Sequence, residues 1–197
     1  MRLLTGPTTP FGRMVEVAAL EAGIALDIEV IAVTGAAFLD ALNPLRLIPT
    51  LVAADGTAVY DSRVICRVLA EERPQAGLFP AGFDRAFETR LALVCGIMDA
   101  GVARQGEVTR LEAARSPEVI ARLEARLWRG FARLEAEIDR FDGAFPRLDA
   151  LGAAVLLDYV DFRVCRDWRA EAPRLAAFLA REGERPSMVA TRFPRAA

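Results

Sequence analysis

The apolar pattern of this chain changes character near residue 75. Before that point apolar residues come in short runs broken by glycine and proline; beyond it they recur only at helical spacing. Residues 2–5 form a brief apolar run stopped by Gly6 and Pro7, which predicts a strand. Pro10 suits the first position of a helix, with Thr9 in the capping place before it. Val15, Ala18, Ala19 and Ala22 then keep helical spacing up to a stop at Gly23. Residues 26–33 predict a second strand, with Ile28, Val30 and Ala32 on one face and Ile31 and Val33 on the other. A short, weak helix is expected over 36–42. Residues 50–53 and 57–60 flank Asp55-Gly56, a strong hairpin signal. A helix over 62–72 follows, with Val64, Ile65, Val68 and Leu69 as its apolar stripe. Strand, helix, strand, helix, hairpin and helix in that order imply a sheet of mixed direction with helices on its faces.

Residues 74–82 are rich in proline and glycine and read as a connection. After them Phe87, Leu91, Val94, Met98 and Val102 step by three and four. Ile120, Leu123, Leu127, Phe131, Leu134, Ile138 and Phe141 do the same over a long helix. Residues 151–160 are apolar nearly all round, which predicts a buried central helix. The expected division is an α/β domain over 1–75, a linker over 76–83 and an all-helical domain over 84–197. Trp128, Phe131, Tyr159 and Trp168 fit either the helical core or the wall of a second substrate pocket.

Composition removes several kinds of chemistry. The chain has 197 residues, a hydrophobic fraction of 53% and a formal net charge of −2, so no global basic field exists to hold nucleic acid or an anionic membrane. Histidine is absent, which deletes Ser-His-Asp triads and histidine-ligated metals. Lysine is absent too, which removes any Schiff-base lysine. Cys66, Cys95 and Cys165 are odd in number and lack a CxxC spacing, which reads as reduced, packed thiols in a cytoplasmic protein. The opening run to Pro7 breaks too early for a signal-peptide core. The uncharged stretch 150–157 is far short of the roughly 20 residues a membrane span needs.

The candidate chemistry lies in two short segments. Ile48-Pro49-Thr50 puts a proline at the start of a strand, where its missing N–H and fixed φ demand a cis bond or an edge not used for pairing. Asp61-Ser62 opens the next helix, whose free amides and positive dipole end suit a carboxylate. An extended peptide could pair beside Pro49 while its acid end docks at Ser62.

These pieces together resemble the cytosolic glutathione S-transferase family. The resemblance rests on Thr8 through Arg13, on Asn43-Pro44 with residues 48–51, and on residues 60–65. In the helical half it rests on residues 156–163 and on 185–191. It implies a thioredoxin-like domain followed by a helical bundle, as a homodimer, with glutathione as co-substrate, a small hydrophobic electrophile as acceptor and no metal. The cysteine backbone of glutathione would pair with Ile48 before a cis Pro49. Its γ-glutamyl group would sit at Asp61 and Ser62, and Arg46 would stand near the glycyl carboxylate. Relatives place a serine, tyrosine or cysteine in the first loop. This loop offers only Thr5, Thr8 and Thr9, of which Thr9 best matches the hydroxyl that would hold the thiolate. The apolar look of Phe11, Met98 and Val102 implies a hydrophobic acceptor. Thr9 and Ser62 could equally serve only as helix caps, and Arg46 as a solvated loop residue. A non-catalytic glutathione-binding or protein-interaction module is the alternative reading. Relatives also carry a Ser/Thr-x-x-Asp box before the buried helix. Arg147 and Ala150 look like its counterparts here, with Asp149 left to favour the dipole, so about 1 kcal/mol of capping stability is expected to be missing.

Overall fold

The computed structural model describes residues 1–32, 34–164 and 167–194. Val33 and Cys165, both named above, lie outside them. A four-stranded sheet has the order β2-β1-β3-β4, with β1 at Arg2–Thr5, β2 at Asp27–Val30, β3 at Thr50–Val52 and β4 at Ala58–Val59. The first pair is parallel and the other two antiparallel, the mixed direction that the element order implied. Strand β2 is shorter than the apolar alternation over 26–33. It pairs in register from Arg2↔Asp27 to Thr5↔Val30 and stops where its partner turns away at Gly6 and Pro7. The hairpin forms as expected: Asp55 accepts the Thr57 amide at 2.9 Å and Gly56 takes φ +85, a conformation open to glycine.

Helix α1 at Pro10–Glu21 buries Met14, Val15, Val17 and Ala18. Helix α2 at Ser62–Glu72 buries Ile65, Cys66 and Leu69. Residues 36–42 yield only a 3-10 turn, at Ala37–Ala41. The proline- and glycine-rich connection is a packed strap. Leu78 is buried, its carbonyl accepts the Leu148 amide at 2.8 Å, and the Phe79 ring meets Phe87 edge-on.

The helical half comprises α3 at Arg85–Val108, α4 at Pro117–Glu137, α5 at Leu148–Arg163, α6 at Pro173–Glu182 and α7 at Pro186–Ala190. The long stripe through Phe141 ends as a 3-10 turn at Ile138–Phe141 rather than as continuous α-helix. Helix α5 is buried through Val160 and forms the centre, as its all-round apolarity demands. One hydrophobic cluster runs unbroken from Leu3 and Val15 in the first half to Leu156 and Phe178 in the second. Phe131 and Trp168 belong to it, with Trp128, Phe131 and Trp168 stacked edge-to-face in series.

Polar ties reinforce this apolar seam. Arg13, buried on α1, donates to Asp158 at 2.5 Å, to the Met188 carbonyl at 3.1 Å and to Thr191 at 3.3 Å. Glu21 accepts from Ser187 at 2.5 Å and from Arg185 at 3.3 Å. These bonds account for the 185–191 segment: it docks the end of the chain on α1. At the head of α5 Arg147 makes no side-chain cap. Asp149 is 0% exposed and accepts from Arg90 at 2.8 Å, Arg147 at 2.7 and 3.0 Å, and the Ala150 amide at 3.0 Å. The expectation of a merely dipole-favouring Asp149 is therefore corrected: a buried ion-pair triad stands where a hydroxyl cap would be.

Candidate active site

A cavity of about 920 Å³ lies between the two halves. Its first wall is the loop from β1 to α1, Gly6 through Phe11. Its second is the segment Leu45 to Pro49, and its third the start of α2 at Tyr60 to Arg63. The helical half closes it with one face of α3, Arg126 of α4, and Tyr159 and Arg163 from the last turns of α5. All six residues singled out from the sequence, Thr9, Arg46, Ile48, Pro49, Asp61 and Ser62, line this one cavity.

The Ile48–Pro49 bond is cis, and so is Tyr60–Asp61. Asn43 organises the segment before Pro49. Buried at the loop base, it donates to the Leu47 carbonyl at 2.9 Å and to the Thr50 hydroxyl at 3.0 Å, and it accepts the Leu45 amide at 3.1 Å. That gives the Asn43-Pro44 pair its structural role. Arg46 has φ +52 and sits at the lip, with its guanidinium forked onto Asp40. It is thus committed to a carboxylate already in the chain.

At the head of α2 the cap is Asp61, not Ser62. Its carboxylate accepts the amides of Arg63 at 2.9 Å and Val64 at 3.4 Å, and the Arg63 guanidinium at 3.1 Å. Burial presses the Asp61 pKa upward, but the Arg63 hydrogen bond and charge and the two amides outweigh it and leave the group below its ordinary value. Ser62 is 4% exposed, lines the cavity, and has neither hydroxyl nor amide bonded to any other described residue. A hydrogen-bonding group so placed wants a partner from outside the chain.

Opposite Ser62, Asp99 of α3 lines the same end. Burial raises its pKa, with Arg126 and Arg63 pulling the other way. Two acids and two guanidiniums thus face this end of the cavity, a setting for a zwitterionic head group. Cys95, one turn earlier on α3, also borders the cavity, but burial pushes its thiol up to about 12, so it is no ready nucleophile. Cys66 is buried and shifted upward for the same reason.

Thr9 is the capping residue of α1 by position, yet its side chain makes no cap hydrogen bond. Its methyl packs over Gly12, where a Cβ would come within 2.7 Å of Thr9 Cγ2 and 2.0 Å of Thr5 Oγ1. Glycine is required there by close approach, and the packed methyl restricts the Thr9 rotamer. Thr5 is sealed beneath, and its hydroxyl is the one buried polar side-chain atom without a partner among the described residues. Thr8 lines the cavity beside Thr9.

Two sequence expectations about the acceptor end change. Met98 is fully buried and absent from the cavity wall, because its side of α3 faces the core. Tyr159, left open between core and pocket, does both: its ring packs in the core against Phe193, and the residue also borders the cavity. Phe11 and Val102 line it as expected, but Gln105, Thr109, Tyr159 and Arg163 make that end polar. Asp99 and Arg163 line the cavity without having been singled out from the sequence. A charge on a helix gives no sign of which cavity it meets until the helices are packed.

A thioredoxin-like sheet joined to a helical bundle, with a cleft at a proline and a helix start, defines a class of fold that the comparisons identify. Residues 8–72 match the family model for the glutathione S-transferase N-terminal domain. A glutathione transferase family member from Pseudomonas fluorescens, solved with bound glutathione, is 34% identical over 98% of each chain, with a TM-score of 0.91. The glutathione S-transferase of Methylobacillus flagellatus, also with glutathione bound, is 30% identical over 97% of this chain and 98% of that one, with a TM-score of 0.88. The "uncharacterized GST-like protein YibF" of Escherichia coli K12 is 27% identical over 204 residues, covering 100% of both. The chain belongs to the glutathione S-transferase family.

Proposed function

We propose that this protein binds glutathione in the cavity between its halves and activates the thiol for attack on an electrophile. The observation that carries the reading is Ser62: nearly buried, cavity-facing, with its hydroxyl and amide unpartnered among the described residues at the start of α2. A γ-glutamyl carboxylate would complete those donors, and its ammonium would face Asp61 and Asp99. The peptide backbone would run past Ile48 at the cis Pro49. Arg46 would meet the glycyl carboxylate only by sharing itself with Asp40. Glutathione bound in the relatives from P. fluorescens and M. flagellatus supports the ligand.

The sulfur would then lie near the first loop. A free thiol has a pKa of about 8.5, so at neutral pH a donor must favour the charged form. The Thr9 hydroxyl, uncommitted to capping, would donate that hydrogen bond, and the amino end of α1 would add positive potential. The thiolate forms its S–C bond at the electrophilic carbon, and the leaving group departs with its electron pair or, in an addition, a carbon takes up a proton. The division into domains over 1–75 and 84–197 belongs to the same proposal, as does assembly into a homodimer.

Retention on immobilised glutathione, then turnover of 1-chloro-2,4-dinitrobenzene, tests this. Ser62→Ala should lower glutathione affinity by roughly 10-fold or more, the loss of a charge-assisted hydrogen bond. Thr9→Ala should retain binding and lose most turnover. Retention without turnover, unchanged in Thr9→Ala, would favour the non-catalytic binding module. No retention at all would end the glutathione reading.

A further inference from the structure

The cavity has a second end whose chemistry the proposed glutathione site does not use. It is bounded by the last turns of α5 and the later turns of α3. Tyr159 and Arg163 are four residues apart, so they share one face of α5. Both border the cavity.

The arginines around this end of α5 are nearly all committed. Arg13 is bonded to Asp158 at 2.5 Å, Arg104 to Glu124 at 2.6 Å and Arg169 to Asp161 at 2.7 Å. Arg163 differs. It is half-buried, and among the described residues no carboxylate lies within ion-pair reach of it. Its guanidinium stacks on the Phe162 ring at 4.0 Å, which steadies the plane while leaving its N–H edges free to donate. Two of the other guanidiniums in the cavity are already paired, and the third stands at the glutathione end. Arg63 has Asp61 and Arg46 has Asp40. Arg126, which lies across Gly96, faces Asp99 at the glutathione end.

Tyr159 supplies a second donor. It is 2% exposed, with its ring wedged under Gly101, where a Cβ would come within 3.1 Å of Cε1. Its hydroxyl, which unlike that of Thr5 is not fully enclosed, makes no hydrogen bond among the described residues. Burial pushes the phenol up to about 12, with Arg163 and Arg104 as the charges nearest in effect, so it is a protonated donor at neutral pH. An unpaired, half-buried guanidinium beside an unpartnered phenol is a ready-made site for an anion.

We infer that the acceptor substrate carries a carboxylate, bound by the Arg163 guanidinium and the Tyr159 hydroxyl at the α3–α5 end of the cavity. This rests on the reading that glutathione occupies the other end, with its sulfur at the first loop. It narrows the acceptor from the hydrophobic electrophile expected from the sequence to an acidic one. The aliphatic parts of such a molecule would lie against Phe11 and Val102.

Calorimetric titration of the full chain with three ligands tests it: glutathione, S-(2-carboxyethyl)glutathione and S-(2-carbamoylethyl)glutathione. The last two are nearly isosteric and differ in charge. The acid conjugate is expected to bind about tenfold or more tighter than the amide, at the lower end of what hydrogen bonds to a charged group contribute. Arg163→Met should bring the two within about threefold while leaving glutathione affinity unchanged; Arg163→Lys should restore part of the preference, and Tyr159→Phe should narrow it. Equal binding of acid and amide to the wild type overturns the inference and leaves the glutathione site standing. Preference for the acid that survives in both Arg163→Met and Tyr159→Phe overturns the assignment of these residues. Should Arg163→Met fail to fold, as loss of glutathione binding would reveal, Tyr159→Phe decides. Binding of none of the three ligands overturns this inference and the proposed function together.

Discussion

Replacing Asp149 by alanine removes the hub of the triad that fixes the head of α5. The carboxylate is 0% exposed and takes four hydrogen bonds, from Arg90, twice from Arg147 and from the Ala150 amide. The two arginines then fare differently. The Arg147 side chain is 26% exposed and can swing toward water, whereas the Arg90 side chain is 9% exposed and is stranded. Removing one partner of a buried pair costs about 3–5 kcal/mol, most of it from the charge left behind. Asp149→Asn keeps the shape and one acceptor but strands the same charge and turns an N–H donor toward another donor, so its cost should fall in the same range. The double variant Arg90→Met, Asp149→Leu leaves no stranded charge and should cost less than Asp149→Ala alone. Urea denaturation followed by far-ultraviolet circular dichroism, at one fixed protein concentration, measures all three. For a chain of this length the alanine variant should also melt about 6–20 °C lower. A cost under about 1 kcal/mol for Asp149→Ala, or a double variant that costs as much as Asp149→Ala or more, would refute the argument.

Gly12→Ala sets helix propensity, worth up to about 1 kcal/mol in its favour, against a Cβ placed 2.0 Å from Thr5 Oγ1 and 2.7 Å from Thr9 Cγ2. Overpacking of about 1–3 kcal/mol should win, so thermal melting should show a loss, together with lower turnover as Thr9 is displaced; a stabilised variant would contradict this. Asp61 has a folded pKa below its ordinary 3.8, so the stability it lends is fully present above that value and is lost as pH falls through the lower folded one. Acid titration of wild type against Asp61→Asn should show a steeper fall for the wild type at the acidic end, and parallel curves would count against the cap. With Cys95 pushed up to about 12 and Cys66 also raised, neither should react with iodoacetamide in the native protein at neutral pH. Peptide mapping that finds Cys95 alkylated at the rate of a free thiol would show that burial does not govern it.

What the sequence disclosed and what it withheld divide along a physical line. Periodicity located β1, α1, the hairpin, α2 and the buried α5, because each depends on a repeat that one segment carries within itself. It overran at β2, whose length is set by the partner strand and not by its own alternation. It also overran at Ile138–Phe141, where the apolar stripe continues but the backbone tightens to a 3-10 turn. The short motifs at Pro49 and Asp61-Ser62 converged on one cavity because each is a local backbone device: a cis bond and a capped helix start.

Commitment is harder to read, since it depends on partners distant in the chain. Arg46, Arg13 and Arg163 look alike as letters, each an arginine in a polar neighbourhood. Folding gives Arg46 to Asp40 and Arg13 to Asp158, 145 residues away, and leaves Arg163 beside the cavity with no ion pair among the described residues. The same sorting separates Asp61, whose carboxylate caps α2, from Ser62, whose donors remain open among the described residues. Ligand chemistry falls to the groups that folding leaves over, because a donor satisfied within the chain gains little by exchanging one partner for another. By that criterion Ser62 should contribute more to glutathione affinity than Arg46, and Arg163 more to acceptor choice than Arg126, whose charge already faces Asp99.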